Sequence, residues 1–277
     1  MAIFSVPNLS SPSNMISISD SSKILSIDIG GSTIKATILG RNGKPLQEFQ
    51  KLKTPVPATP SAVLATIKQL TKDFPAYDVI SVGFPGYVKK GIVYTAPNLG
   101  TPNWQGENLS KTIQDVLKKP ARVVNDADLH GLGVVSGKGL ELVITLGTGF
   151  GTAMFLDGIL LPHLEMAHHP VTRNKTYDQY VGKVEFKKIG VKEWNKRVKG
   201  IIENLKTVFN YDRLYIGGGN ASELNISPTN EIILIDNEDG IKGGAKLWQL
   251  DENIFIEAQP AKKRATVKKV PVEKKES

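Results

Sequence analysis

Apolar residues in this chain occur in short runs bounded by glycine, a pattern typical of β-strands joined by tight turns. Runs at 24–29 and 34–39 predict two strands around a Gly-Gly-Ser-Thr turn, and Asn42-Gly43 marks the next turn. Thr59-Pro60 then predicts a helix start before apolar positions at helical spacing. Further predicted elements are strands at 79–84, 121–124, 142–146, 153–156, 213–216 and 232–235, and helices at 109–117, 127–135, 191–209 and 241–250.

The same arrangement of elements recurs in the second half of the chain. From residue 141, an apolar strand again meets a Gly/Thr-rich turn, at 147–151, and a second strand ends at Asp157-Gly158. Such units also recur by chance, so the repeat is weak support for two related lobes. In the long helix 191–209, one apolar stripe is predicted to face the core: Trp194, Val198, Ile201, Ile202, Leu205, Val208 and Phe209. The pattern predicts an α/β protein in two lobes.

Length and composition narrow the class of protein. The chain has 277 residues, 40% hydrophobic, which allows one large or two modest domains. It has no cysteine, which excludes disulfides, thiolate zinc sites, iron-sulfur ligation and cysteine nucleophiles. No apolar run approaches the roughly 20 residues that cross a bilayer. We therefore expect a soluble protein.

The positive charge is concentrated at one end. Residues 258–277 carry seven Lys or Arg against Glu273 and Glu276, which is +5 of the net +8. With almost no large apolar residues, this tail is predicted to be disordered. It either solubilises the chain or attracts a polyanion such as polyphosphate or nucleic acid. Residues 1–22 are polar and have no basic residue before Lys23, so we predict a second disordered extension and a cytoplasmic protein. The predicted lobes are 23–125 and 126–257.

Three glycine loops stand at the ends of predicted strands, at 28–33, 147–151 and 217–220. Glycine lets backbone N–H groups approach an anion, and neighbouring Ser or Thr hydroxyls add donors. Any one of these loops could be a tight turn, but three of them favour phosphate binding. A P-loop is rejected because Gly137-Lys138 lacks both the earlier glycine and a following Ser or Thr. No G-x-G-x-x-G opens a helix, which disfavours a dinucleotide fold.

Acidic and histidine side chains mark two further segments. Asp126 and Asp128 stand where a strand ends and a helix begins, so each could cap the helix or line a ligand crevice. One acid and two histidines precede Pro170: Glu165, His168 and His169. A single acidic residue in this group is weak support for a metal site. Glu165 and His168 could instead hydrogen-bond vicinal hydroxyls of a sugar.

The order of these motifs resembles the ROK (repressor, open reading frame, kinase) family of sugar kinases. DIGGSTIK, NDAD, LGTGFG, LEMAHHP and YIGGGN match its first phosphate loop, catalytic Asp, second phosphate loop, sugar-binding E-x-x-H and nucleotide-side glycine loop, over about residues 24–247. The strings VGFPGYVKKGIVYTAPNLGT, KEWNKRV and FNYDRLYIGGGNA resemble the branch that uses inorganic polyphosphate. The resemblance implies a two-lobed actin-like ATPase (ribonuclease H-like) fold with a central cleft.

The resemblance also implies a reaction and its residues. A terminal phosphoryl group would pass from polyphosphate to the 6-hydroxyl of glucose, with Asp126 as the base. Because proton removal comes late in a loose transition state, an Asp with an ordinary pKa near 4 would suffice. The implied glucose-binding residues are Asn98, Asn125, Asp126, Glu165 and His168. The implied donor-binding residues are Asp28, Gly30, Gly31, Ser32, Thr33, Lys35, Thr148, Gly149, Gly218 and Gly219.

Mg²⁺ is the implied cofactor, held near Asp28 through water. Lys192, Lys196 and Arg197 could guide a polyphosphate chain, or could form a solvated helix face. No zinc is expected, because the cysteine cluster of many ROK members is missing. A repressor is disfavoured because only about 22 polar residues precede the first strand, and we expect no specific nucleic-acid partner and no membrane partner. The alternatives are an ATP-dependent hexose kinase and a non-catalytic sugar- or polyphosphate-binding regulator, and a homodimer is expected.

Overall fold

Residues 18–251 and Phe255 are described by a computed structural model of the chain. Most of the extension predicted at 1–22, the end of the second predicted lobe and all of the basic tail at 258–277 lie outside these residues. At the end of the predicted extension, Ile18 packs against an apolar cluster and Ser22 is buried. Within the described part of the chain, no helix combines the length and the apolar character needed to cross a membrane.

The first lobe is a five-stranded sheet with helices on its faces. Its elements are β1 (Lys23–Ile29), β2 (Thr33–Gly40), β3 (Gln50–Lys53), α1 (Pro60–Leu70), β4 (Val79–Phe84), β5 (Val88–Lys89), β6 (Ile92–Val93), α2 (Thr101–Trp104), α3 (Leu109–Leu117) and β7 (Ala121–Asn125). The sheet order is β3-β2-β1-β4-β7, with β5 and β6 as a separate hairpin. Thr59 caps α1 and Pro60 is its first residue, as predicted.

The second lobe begins with a helix and repeats the sheet. Its elements are α4 (Asp126–Val134), β8 (Leu140–Leu146), β9 (Phe150–Leu156), β10 (Ile159–Leu160), β11 (Pro170–Thr172), β12 (Lys175–Thr176), α5 (Tyr177–Val181), α6 (Lys183–Phe209), β13 (Arg213–Gly217), β14 (Ile232–Leu234) and α7 (Asn237–Ile241). A 3₁₀ segment follows at Lys242–Gln249. The sheet order is β10-β9-β8-β13-β14.

The two sheets have the same topology. In each, the first strand pairs antiparallel with the second, the second pairs antiparallel with the third, and two parallel strands extend the other side. The weak internal repeat in the sequence therefore corresponds to a repeated sheet. This is the two-lobed α/β architecture that the motif order predicted.

Helix α4 is packed between the two sheets. Leu129 and Leu132 share one apolar cluster with Val79 and Val124 of the first sheet and with residues of the second. The second-sheet members of that cluster are Val143, Ala153, Phe155 and Tyr215. The outer face of the first sheet is covered by α1 and α3, and that of the second by α6. Burial of α4 on all sides explains why its sequence shows no amphipathic pattern.

The last described helices return to the first lobe. The 3₁₀ segment Lys242–Gln249 packs on β1, β4 and α4, and we call it the C-terminal strap. Ser26 and Ser81 donate hydroxyl hydrogen bonds of 2.8 and 2.7 Å to the Ile241 and Gly244 carbonyls. The Arg122 guanidinium donates to Leu247 O at 2.8 Å and stacks on Trp248. The first lobe is thus completed by residues that the predicted boundaries assigned to the second.

Three sequence predictions were wrong in detail. The helix predicted from residue 191 extends back to Lys183 and is interrupted at Gly190, whose φ of 76° is not helical. Val208, placed on the core stripe, is 69% exposed, whereas its neighbour Phe209 packs against the core. The helix predicted at 241–250 is a short α7 followed by the 3₁₀ strap, whose backbone follows the surface of the first lobe.

Stability should depend on close contact between the strap and the sheet. A Cβ at Gly244 would lie 2.8 Å from the Ser26 Cβ and 3.1 Å from the Ser81 Cβ. Gly244→Ala should therefore lower the free energy of unfolding by about 2 kcal/mol, because the strap must move away from the sheet. Gly200→Ala, in α6 with nothing within 4 Å of the added Cβ, should instead stabilise by about 0.5–1 kcal/mol. Urea unfolding measures both, and equal effects of the two variants would contradict this account.

Candidate functional site

A polar cleft of about 300 Å³ lies where strand ends from both sheets meet. It receives the ends of β1, β4 and β7 from the first lobe and of β8 and β13 from the second. The sequence-predicted residues that line it are Asp28, Gly30, Gly31, Ser32, Thr33, Lys35, Asn98, Asn125, Asp126, Thr148, Gly149, Glu165, Gly218 and Gly219. Segments far apart in sequence therefore converge on one cavity, as the motif order predicted.

Asp126 is the first residue of α4, and its neighbour Asn125 is the cap. The Asn125 carboxamide oxygen accepts the Ala127 and Asp128 N–H groups at 2.8 and 3.4 Å, and its NH₂ donates to Gly86 O at 3.1 Å. Both ends of the Asn125 amide thus have partners inside the protein. The Asp126 Oδ1 itself accepts the Ala127 N–H at 2.9 Å. The cap holds the Asp126 backbone at the cleft wall.

The Asp126 carboxyl is not an ordinary aspartate. Burial raises its pKa to about 7, and the nearby Asp28 charge adds to the rise, against the smaller opposing effects of His130, the Ala127 N–H and His163. The sequence-based expectation of a pKa near 4 was wrong, because burial between two lobes cannot be read from the residue type. A carboxyl with this pKa exchanges protons readily near neutral pH.

His130, one helical turn after Asp126, is a partner for Asp28. Its Nε2 lies 3.4 Å from Asp28 Oδ2, and both side chains are about nine-tenths buried. Burial by itself would raise the pKa of Asp28, but His130 and Lys35 lower it overall, so Asp28 is held as a carboxylate. Burial alone would lower the pKa of His130, whereas Asp28 and Asp126 raise it. The floor of the cleft is therefore a carboxylate paired with a histidine.

The first glycine loop reaches both walls of the cleft. A Cβ at Gly31 would lie 3.1 Å from the Asn98 Cβ and 3.6 Å from the Thr148 side chain, which belong to the first and second lobes. A side chain at this position would press on Asn98, so glycine allows the closest approach of the loop to that wall. The loop itself is closed by a hydrogen bond from the Gly30 N–H to Thr33 O at 3.0 Å. This packing leaves backbone donors close to the cavity.

The second and third glycine loops are held against each other and against α5 and α6. Asn220 donates its side-chain amide to Gly147 O at 3.2 Å. The Lys183 N–H donates to Gly147 O and Thr148 O at 3.1 and 3.2 Å. Asp178 accepts the Phe150 N–H at 2.6 Å, and burial raises the pKa of its carboxyl. The loop conformation thus depends on the junction of α5 and α6.

A second cluster of charged groups lies on the other side of Asp126. Glu165 is 22% exposed and lines the cleft, and His163 connects it to Asp128. His168 is half exposed, lies 3.6 Å from Glu165 Oε2 and does not belong to the cleft lining. The residue paired most closely with Glu165 is therefore one that the E-x-x-H motif does not contain.

The predicted polyphosphate track does not reach the cleft. Lys192 and Lys196 are exposed on α6, outside the lining. The Arg197 guanidinium is engaged by Glu185 at 2.9 Å and stacks on the Tyr180 ring. Within the described part of α6, the basic residue that lines the cavity is Lys183, at the start of the helix. The kink at Gly190 separates it from the predicted track.

Sequence reasoning missed several polar lining residues. They are His130, His163, Asp178 and Lys183, whereas Asn220 belongs to the third predicted glycine loop. Two signals were available: His130 follows Asp126 by four positions on one helix, and His163 precedes Glu165 by two. Asp178 and Lys183 carry no local signal, because they reach the loop only through the packing of α5 and α6.

The donor set at the cleft floor fits a hard cation. Within the residues described, no cluster of three or more acidic or histidine side chains is arranged to enclose a metal ion. Mg²⁺, however, commonly uses one or two carboxylates together with waters and substrate phosphates. Asp28 and Asp126 supply two carboxyl groups close enough for one charge to raise the pKa of the other. The residues present therefore fit a phosphate-bound Mg²⁺ better than a fully protein-enclosed one.

Comparisons with known proteins agree with this arrangement. Residues 24–174 match the ROK family. The chain is 33% identical over 222 residues to the polyphosphate glucokinase of Mycobacterium leprae (strain TN), covering 77% of this chain and 68% of that protein. It is 34% identical over 205 residues to the polyphosphate glucokinase of Mycobacterium tuberculosis (strain ATCC 25618 / H37Rv), covering 71% and 77%.

Solved structures show the same architecture. The inorganic polyphosphate/ATP-glucomannokinase of Arthrobacter sp. strain KM superposes with a TM-score of 0.75 at 29% identity, covering 83% of this chain and 99% of that one. The ROK family glucokinase of Streptomyces griseus, solved with glucose and AMPPNP, gives 0.69 at 19% identity, covering 81% and 98%, which shows a shared fold. By its sequence and by its two repeated sheets, this chain belongs to the ROK family and has the actin-like ATPase fold of its sugar kinases.

Proposed function

We propose that this protein is a polyphosphate-dependent glucokinase, which transfers the terminal phosphoryl group of inorganic polyphosphate to the 6-hydroxyl of glucose. The observation that carries the proposal is the position of Asp126. It is a partly buried carboxyl with a pKa of about 7, in a cleft lined by three glycine loops and by Glu165. The names of the two mycobacterial relatives support the choice of sugar and donor.

In this proposal Asp126 orients the 6-hydroxyl and accepts its proton. Phosphoryl transfer passes through a loose transition state, so the hydroxyl needs alignment first and loses its proton late. A carboxyl with a pKa near 7 takes up that proton more readily than an ordinary aspartate would. The new bond joins sugar O6 to phosphorus, and the bond from phosphorus to the bridging oxygen of the donor breaks. The shortened polyphosphate leaves with the bridging oxygen.

Glucose binds in this proposal between Asn98 and Glu165. Asn98 comes from the first lobe and Glu165 from the second, so a sugar between them would bring both lobes together. Asn125 contributes mainly by capping α4, since its amide already has protein partners. His168 would reach the sugar only by turning in from its exposed position.

The donor binds along the glycine loops. Residues of 30–33 and 147–151 line the cavity, and the Ser32, Thr33 and Thr148 hydroxyls with the remaining backbone N–H groups would donate to phosphate oxygens. The Gly30, Gly147 and Phe150 N–H groups already donate to Thr33 O, Gly149 O and Asp178. Lys35 and Lys183 place positive charge at this end of the cleft. Asp28 would hold Mg²⁺, which when bound neutralises phosphate charge. Magnesium and the homodimer stay predictions.

ATP is the alternative donor. The observation in its favour is that the similar Arthrobacter enzyme is named for both inorganic polyphosphate and ATP. The deciding experiment is the initial rate with glucose plus polyphosphate against glucose plus ATP at matched phosphate. We expect a higher kcat/KM with polyphosphate. A protein active only with ATP would overturn the choice of donor, and one inactive with both would overturn the kinase assignment.

Replacing the base should abolish turnover but not sugar binding. Asp126→Asn keeps the shape of the side chain and removes the proton acceptor, so kcat should fall by about 10²–10⁴. Glucose affinity by calorimetry should stay within a few-fold. Asp115→Asn, an exposed carboxylate on α3, is the matched control and should be unaffected. Near-normal turnover by Asp126→Asn would show that another group removes the proton.

The raised pKa of Asp126 also predicts a pH-dependent stability. Since the folded protein holds this proton up to about pH 7 and the unfolded chain releases it near pH 4, stability contributed by the protonated carboxyl is lost as pH rises through the folded pKa. Asp126→Asn removes that loss. The free energy of unfolding of Asp126→Asn, minus that of wild type, should therefore increase by on the order of 2 kcal/mol between pH 5 and 8. Urea unfolding with a chelator present measures both values. A pH-independent difference would mean that Asp126 titrates normally.

Replacing Lys183 should raise the KM for polyphosphate of any length. Replacing residues further along α6 should raise the KM only for long polyphosphate chains. Lys183→Ala should raise the KM for both short and long polyphosphate about 10-fold, because a charge at the cleft is lost. Lys192→Ala tests the track predicted from the sequence and should affect long chains alone. Lys72→Ala, exposed at the end of α1, is the control. An unchanged KM in Lys183→Ala would remove Lys183 from the donor site.

A further inference from the structure

His163 lies on the sugar side of the cleft with both ring nitrogens facing carboxylates. Its Nδ1 is 3.1 Å from Asp128 Oδ1, and its Nε2 is 3.4 Å from Glu165 Oε1. The His163 side chain is 7% exposed and that of Asp128 is 6% exposed. Burying a histidine and two acids costs desolvation free energy, which is offset only if the ring interacts with both acids.

The protonation of His163 is consistent with its position between Asp128 and Glu165. Burial alone would lower the pKa of His163, but Asp128 and Glu165 raise it to about 10. The ring therefore carries both protons at neutral pH and can donate toward both acids. Burial raises the pKa of Asp128, and its hydrogen bond with His163 opposes that rise.

Glu165 has no comparable second anchor among the described residues. Its Oε2 lies 3.6 Å from His168, whose side chain is half exposed. Its Oε1 is buried, and the 3.4 Å approach of His163 falls short of a well-formed hydrogen bond. Oε1 is therefore turned inward to His163, and since the Glu165 side chain is 22% exposed, its Oε2 is the oxygen left to accept a hydrogen bond from a ligand in the cleft.

His163 is itself fixed by both lobes. Asp128 belongs to α4, whose position between the sheets is set by the core. The Tyr87 ring, just before β5 in the first lobe, stacks on the imidazole at 5.9 Å between centroids and 16° between planes. A loop residue is thereby tied to the central helix and to the opposite wall.

We infer that His163 is a positioning residue that holds the Glu165 carboxylate toward the sugar, with Asp128 and Tyr87 as its supports. The inference rests on the proposed function, because it assigns the sugar hydroxyls as the ligand of Glu165. His163 lies outside the E-x-x-H motif and acts through Glu165 rather than on the reacting atoms. It should therefore affect sugar affinity and leave the chemical step intact.

The test is a double-mutant cycle between His163 and Glu165, followed by glucose calorimetry and steady-state kinetics. His163→Phe keeps a ring for Tyr87 and removes both hydrogen-bond donors. We expect it to weaken glucose binding and raise the glucose KM about 10-fold, with kcat and the donor KM within about 3-fold of wild type. In the Glu165→Gln background the same change should weaken binding less than 2-fold, because the carboxylate it positions is already gone.

Two further variants separate positioning from structural damage. His163→Gln keeps a side-chain amide that can donate toward Glu165, so its glucose affinity should lie between wild type and His163→Phe and its thermal midpoint should stay close to wild type. His169→Phe, an exposed histidine on the same segment, is the control and should bind glucose normally.

The outcomes are distinct from those of the proposed function. Normal glucose affinity in His163→Phe, or effects of His163→Phe and Glu165→Gln that multiply fully, would overturn the inference. A fall in kcat matching the loss of affinity would also overturn it. Wild-type protein that binds glucose but phosphorylates it with neither donor would overturn the proposed function, while the binding cycle would still decide the role of His163. Wild-type protein that binds no glucose would overturn both.

Discussion

The burial of α4 between two sheets is the constraint on which the cleft depends. Its apolar residues contact both lobes, so the helix cannot shift without opening both cores. Asn125 caps its first turn, and its NH₂ donates to the carbonyl of Gly86, two residues after β4. Asp126 is therefore placed at the junction of the lobes by packing and by backbone hydrogen bonds. A carboxyl held in this way needs little reorganisation when a hydroxyl comes to it.

The same burial sets the electrostatics of the cleft. Asp28 is paired with His130, and Asp128 and Glu165 are linked through His163. Asp126 has a helix N–H as its hydrogen-bond partner, and it lies beside the Asp28 charge. Asp128 and Glu165 thus face the His163 imidazolium and Asp28 faces His130, whereas the pKa of Asp126 stays near neutral pH. Environments that separate the pKa values of neighbouring acids allow them different roles.

Most elements were predictable because strands buried on both faces read as continuous apolar runs. The strand Val79–Phe84 and the helix Leu109–Leu117 have the predicted bounds. The errors arose where periodicity gives no information about neighbours. Val208 fits the apolar stripe of α6 but is 69% exposed, while Phe209 beside it packs against the core. The strap is a 3₁₀ segment because its backbone follows a surface formed by residues more than 160 positions earlier.

The candidate site was also predictable only in part. The glycine loops were identifiable from the sequence because close backbone approach to phosphate requires glycine, whereas Asp126 and Glu165 were assigned through the motif order that resembles the ROK family. The pKa of Asp126, the partners of Glu165, the cleft position of Lys183 and the engagement of Arg197 by Glu185 required the tertiary structure. The residue types of a short segment can be read from the sequence. Burial and the distance between charges depend on which distant segments pack together.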